Sequence, residues 1–122
     1  DVDIEIEFNE IFKPEENRLK IPQVKRILRQ FEPHGPGNMK PVFLSKNVYS
    51  TDVRALKDVH LKLSITQPEY DVVIEGIGFN LGEKLDLVAS GMPFDLVYTL
   101  EINKWRDRET LQLNIKDIRE TV

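Results

Sequence analysis

YDVVIEGIGFNLGEKLDLVASGMPFDLVYTLEI, residues 70–102, changes its hydrophobic period twice. Tyr70 to Phe79 is a β-branched run broken by Gly76 and Gly78, which reads as a strand whose glycines mark a bulge or a sharp bend. Asn80 is placed to cap a short helix reaching about Ala89, with Leu81, Leu85 and Val88 on one side, and Ser90-Gly91-Met92-Pro93 stops it. Phe94, Leu96, Tyr98, Leu100 and Ile102 then recur at every second position, the period of a half-buried strand.

Working outward from this strand–helix–strand unit, the remaining barrel-forming segments are also extended. Val42 to about Val53 is a first strand, and Val59, Leu61, Leu63 and Ile65 alternate with His60, Lys62 and Ser64 in a second. Gln67-Pro68-Glu69 turns the chain into the third, and Leu111, Leu113 and Ile115 mark a fifth beyond the hairpin connection Lys104-Trp105-Arg106-Asp107-Arg108. Five strands with a short helix between the third and fourth predict a mainly β chain, a five-stranded OB-fold Greek-key barrel. Ahead of it, DVDIEIEF alternates as an N-terminal strand. Ile21-Pro22 then opens an amphipathic helix with Val24, Ile27, Leu28 and Phe31 on one stripe. FEPHGPGNMKPVF, residues 31–43, ends that helix at Pro33, and its prolines and glycines specify one irregular path, a shaped corner. The chain therefore divides into residues 1–40, carrying strand, helix and corner, and residues 41–122, the barrel.

Composition narrows the function. With 122 residues, 40% of them hydrophobic, there is enough for one core and too little for two. The absence of cysteine excludes a disulfide framework, a thiolate metal site and a thiol nucleophile, and fits a cytoplasmic location. No apolar run is long enough for a membrane span, and the acidic start is unlike a secretory signal. The missing initiator Met, together with a start inside a strand pattern, suggests a piece of a longer protein. Seventeen basic against twenty-one acidic side chains give a net charge of −4, so a polyanion would need a local basic face.

Catalysis finds little support. His34 and His60 lie far apart, neither belongs to a metal-spaced cluster, and no nucleophile elbow or P-loop occurs; HGPGN lacks the following Lys-Ser/Thr. No catalytic residue and no metal ligand is assigned. Binding is better supported. An OB barrel offers a groove across its second and third strands, flanked by the loops joining strands one to two and four to five. Those elements supply Arg54 and Lys57 from the first loop, His60 and Lys62 from strand two, and Lys104, Trp105, Arg106 and Arg108 from the second loop. A ring set among cations can stack a base while its neighbours contact phosphate, which suits single strands. The plain alternative is a tryptophan folded back over the barrel among ordinary surface cations.

Several segments carry a family resemblance. FEPHGPGNMKPVF, HLKLSI at 60–65, IEGIGFNLG at 74–82, VYTLEINKW at 97–105 and LQLNIKDIR at 111–119 resemble the junction and C-terminal OB domain of the RecJ family, single-stranded-DNA-specific 5′-to-3′ exonucleases of the DHH/DHHA1 class. The resemblance covers roughly residues 20–119, with departures: His34 stands where the family usually has Phe, Met39-Lys40 replace Pro-Glu, and Arg106-Asp107 replace Asn-Gly. Nothing matches the Asp-His-His motif with which that family cuts. The resemblance implies a single-stranded DNA-binding module in recombination and repair, inactive alone. It also implies preceding DHH/DHHA1 domains of the same chain that hold divalent metal, Mg or Mn, with residues 1–40 as the end of the neighbouring domain and the corner setting the barrel's angle. The alternative is a docking barrel that orients the nuclease or binds a repair protein.

Overall fold

A computed structural model describes residues 2–11, 21–29, 40–69 and 73–121. Its elements are β1 (Ile4–Glu5), α1 (Phe8–Ile11), α2 (Ile21–Arg29), β2 (Phe43–Leu56), β3 (His60–Thr66), β4 (Ile74–Gly78), a 3-10 turn (Gly82–Lys84), α3 (Leu85–Ala89), β5 (Phe94–Trp105) and β6 (Arg108–Glu120). Antiparallel pairings join β2 to β3, β3 to β4 and β5 to β6; β4 lies parallel to β6, and β2 closes back on β5. The circuit β2-β3-β4-β6-β5-β2 is the Greek-key closure of an OB barrel, and α3 follows its third strand.

Closure needs bends, because a strand shared around a small barrel must coil. They fall in β2, where the register shifts between Ser45 and Val48 and again between Ser50 and Asp52, and in the β5–β6 pair at Val97/Tyr98. At the first β2 shift Asn47 takes φ 55°, and its N–H donates to Asp95 Oδ1 at 3.2 Å, an oxygen that also accepts from Thr121 Oγ1 at 2.7 Å. No bulge forms at Gly76 and Gly78, since β3 and β4 pair in unbroken register. These glycines make room instead. A Cβ on Gly76 would lie 2.9 Å from Ile115 Cδ1, and one on Gly78 2.8 Å from Leu81 Cδ1. Nor does Asn80 cap a helix: it takes φ 61°, and the 3-10 turn begins after Leu81 with no side-chain cap.

DVDIEIEF does not form one long strand. Only Ile4 and Glu5 pair, parallel to β2 opposite Phe43 and Leu44. Phe8 opens α1 and sends its ring into the core, edge-on to Tyr98 at 6.1 Å, while Tyr98 stacks on Phe43 at 5.8 Å. Ser45 Oγ donates to the Ile6 carbonyl at 2.7 Å, so its single proton is used and it accepts from the Tyr98 hydroxyl at 2.7 Å. Gln67 completes the attachment, accepting the Phe8 N–H and donating to the Lys46 carbonyl, each at 2.7 Å. Phe8 and Val24 thus share one apolar cluster with the barrel strands.

Helix α2 carries Pro22 in its first turn and buries Val24, with Leu28 packed on the core. It is tied to β6 by Lys25 Nζ, 2.6 Å from Glu109 Oε2. The corner at residues 31–39, with His34, lies outside the described residues, as do Phe31 and Tyr70. Among the described residues no helix is long and apolar enough to cross a membrane.

Candidate nucleic-acid interface

Period-two alternation turns every second side chain of β2, β3 and β4 outward, and the register lines them up across the strands. Leu56 faces His60, which touches Phe79 just past the end of β4. The next row is Arg54, Lys62 and Ile77, and the third is Asp52, Ser64 and Glu75. The face therefore runs from apolar and aromatic, through cationic, to acidic. Asp52, Arg54, Lys62, Ser64 and Glu75 line a shallow depression of about 120 Å³.

Within this face each expected residue finds a place. Arg54 belongs to β2 and not to the loop, and its Nε lies 3.7 Å from Asp52 Oδ2, an exposed pair that contributes little. Lys57 is at the tip of the β2–β3 turn, where Lys57 and Asp58 both adopt positive φ (54° and 58°) and Val59 N–H closes on the Leu56 carbonyl at 3.2 Å. His60 is half-buried. Its Nδ1 accepts the Asn80 N–H at 2.9 Å, so in the neutral ring the proton sits on Nε2. Among the described residues Lys62 forms no ion pair.

The second group sits on the β5–β6 hairpin. Trp105 pairs with Arg108 across a two-residue turn, Lys104 pairs with Glu109, and the Trp105 ring is 73% exposed with the Arg106 guanidinium 5.8 Å from its centroid. Trp105 does not fold back over the barrel. Arg106 and Arg108 accompany it, with Asp107 between them, while Lys104 and its partner Glu109, itself held by Lys25, fall on the opposite face of the hairpin.

The two groups do not converge on one point. Ile77 of the cationic row is level with Asn114, six residues beyond Arg108 on β6, which places the hairpin tip on the order of 20 Å further along the strands. Sequence reasoning also missed Phe79, an outward aromatic 53% exposed whose ring meets His60 edge-on at 5.3 Å. Elsewhere, a cleft of about 530 Å³ is lined by Glu5, Glu7, Glu10 and Glu69, with Lys46 as its one cation among the described residues. That cleft is electrostatically unsuited to a polyanion. Among the described residues no group of three or more His, Asp or Glu side chains could hold a metal ion.

Comparison with known proteins adds to this geometry. The family described as the RecJ OB domain matches residues 2–117. The single-stranded-DNA-specific exonuclease RecJ of Bacillus subtilis (strain 168) is 32% identical over 92 residues, which are 74% of this chain and 12% of that protein. Crystal structures of RecJ from Thermus thermophilus in complex with Mn2+ and with Mg2+ each align with a TM-score of 0.58 at 24% identity, over 83% of this chain. The aligned part is 14% and 15% of those chains, and at that identity the likeness is one of fold.

Proposed function

The chain belongs to the RecJ OB-domain family, and on that premise we propose that it is the single-stranded DNA-binding module of a RecJ-like 5′-to-3′ exonuclease of DNA recombination and repair, itself without nuclease activity. The observation that carries the proposal is the hairpin tip, where an exposed Trp105 stands with Arg106 and Arg108, and Lys104 adds a cation on the other face of the same hairpin. An indole offers a π-face to any unpaired base, and the surrounding cations meet the phosphates without reading sequence. A duplex, its bases already stacked, gains only the cationic part. Arg54, Lys57, His60 and Lys62 supply a second, separate cationic surface on the barrel face.

On this proposal the cutting belongs to DHH and DHHA1 domains preceding the barrel, where Mg2+ or Mn2+ would supply Lewis-acid chemistry. The residues here do not fit that metal, for want of a converging donor set among those described. The module's part is to hold the strand. Trp105 is the one tryptophan, so its emission reports the tip directly. Titration with oligothymidylate at low salt is expected to quench it more strongly than titration with duplex of equal length, and Trp105→Ala is expected to cost about 1–3 kcal/mol of binding. An oligonucleotide that neither quenches Trp105 nor binds at low salt overturns the proposal.

A further inference from the structure

We infer that Phe79, braced by His60, is a base-stacking platform, and that a bound single strand crosses β2, β3 and β4 along the Arg54–Lys62 row with its bases tipped onto the Leu56–His60–Phe79 row. This deepens the single-strand proposal and rests on it. Among the described residues, Phe79 is the one large exposed aromatic besides Trp105. Leu56, opposite His60 on β2, and Val59 are both exposed in the facing turn. The brace is stiff. His60 is pinned through Nδ1 to the Asn80 N–H at 2.9 Å, and the Gly82 N–H donates to the Val59 carbonyl at 2.8 Å. A Cβ on Gly82 would sit 2.7 Å from the Asp58 carbonyl oxygen, so the 56–60 turn and the 79–82 segment are packed backbone against backbone. A platform that is already ordered loses little entropy on stacking a base.

Spacing and charge then set the path. Successive outward side chains of a strand stand about 7 Å apart, close to the reach from a base to its own phosphate. A phosphate beside Lys62 and Arg54 therefore leaves its base over His60 and Phe79. Beyond the cations, Asp52 and Glu75 flank the face with carboxylates, and a backbone running lengthwise toward the hairpin would have to pass over them. Crossing the strands avoids that repulsion.

The test is the affinity of the 122-residue chain for oligothymidylates of about five and about fifteen nucleotides at low salt, by fluorescence anisotropy. Phe79→Ala is expected to weaken binding about five- to twentyfold, with Phe79→Tyr near wild type. Glu75→Gln is expected to strengthen it about two- to threefold, by lifting the repulsion. Met92→Ala, an exposed apolar control on another surface, is expected to change nothing. Wild-type affinity in Phe79→Ala while Trp105→Ala weakens binding rejects the platform and leaves the single-strand proposal standing. Weaker binding by Glu75→Gln rejects the path. No binding by the wild-type chain at either length overturns both proposals.

Discussion

Tyr98 is where the N-terminal segment and the barrel meet, because its ring touches Phe8 and Phe43 and its hydroxyl is linked through Ser45 to the Ile6 carbonyl. Burial pushes its phenol far above the ordinary value of 10.0. A raised folded value means that the associated stability is complete below the unfolded value and is lost as pH rises past it. The wild-type chain is therefore expected to lose stability progressively above a pH of about 10, and Tyr98→Phe to lack that alkaline slope. At neutral pH the same substitution leaves a buried Ser45 oxygen without its donor and is expected to cost about 1–2 kcal/mol in urea unfolding. An unchanged neutral stability would mean that the hydroxyl link contributes nothing net.

At the scale of elements, the β5–β6 hairpin carries a local conflict. Arg106 holds φ 55° in a tight turn, a conformation that costs a side-chain-bearing residue about 1–2 kcal/mol. Arg106→Gly relieves it but gives up the contact with the Trp105 ring, worth about 0.5–1 kcal/mol at an exposed site. The expected outcome is a net gain of about 0.5–1 kcal/mol in thermal unfolding, with the salt dependence of oligonucleotide binding shallower by about 0.7 in log–log slope. A tip retained for binding against its own conformational preference predicts these opposite signs. Two losses, or two gains, would break the link.

Strand legibility followed how faithfully side-chain size reports burial. In β5 the core-facing set Phe94, Leu96, Tyr98 and Leu100 is large and apolar, so its alternation could be read directly. In β4 the cue inverts: the inward positions beyond Ile74 are Gly76 and Gly78, pressed against Ile115 and Leu81, while Ile77 and Phe79 point outward. That inversion hid Phe79 as a surface residue. It also turned two space-making glycines into expected bends. Of the register shifts at Ser45–Val48 and Ser50–Asp52, the first is marked only by Asn47, whose side chain tolerates positive φ, and the second by no turn-forming glycine or proline. Asn80 is a turn residue by chemistry in either setting, and only the partner atom on His60 distinguishes the two.

Across the whole molecule, β2 pairs with β1, β3 and β5, so the N-terminal segment, the β3 side and the closing strand all hang on one backbone. Phe8 fills that end of the core, in contact with Tyr98 and fully buried. Phe8→Ala is expected to cost about 3–5 kcal/mol, a large share of the stability of a domain this size. Urea unfolding checks it, and a loss under about 1 kcal/mol would mean that the N-terminal segment is an appendage. The sequence showed which residue types could meet a polynucleotide, and family resemblance named the setting. What spacing could not supply was their distribution, because the distance from Lys62 to Trp105 is set by the parallel β4–β6 register.

The glutamates around the cleft beside β1 have one more effect. In a molecule of net charge −4 they repel a polyanion approaching from that side, so on the single-strand proposal encounters are favoured over the barrel's cationic row. On that proposal orientation is biased before any contact forms, and the free ends of a held thread are pushed away from the carboxylates.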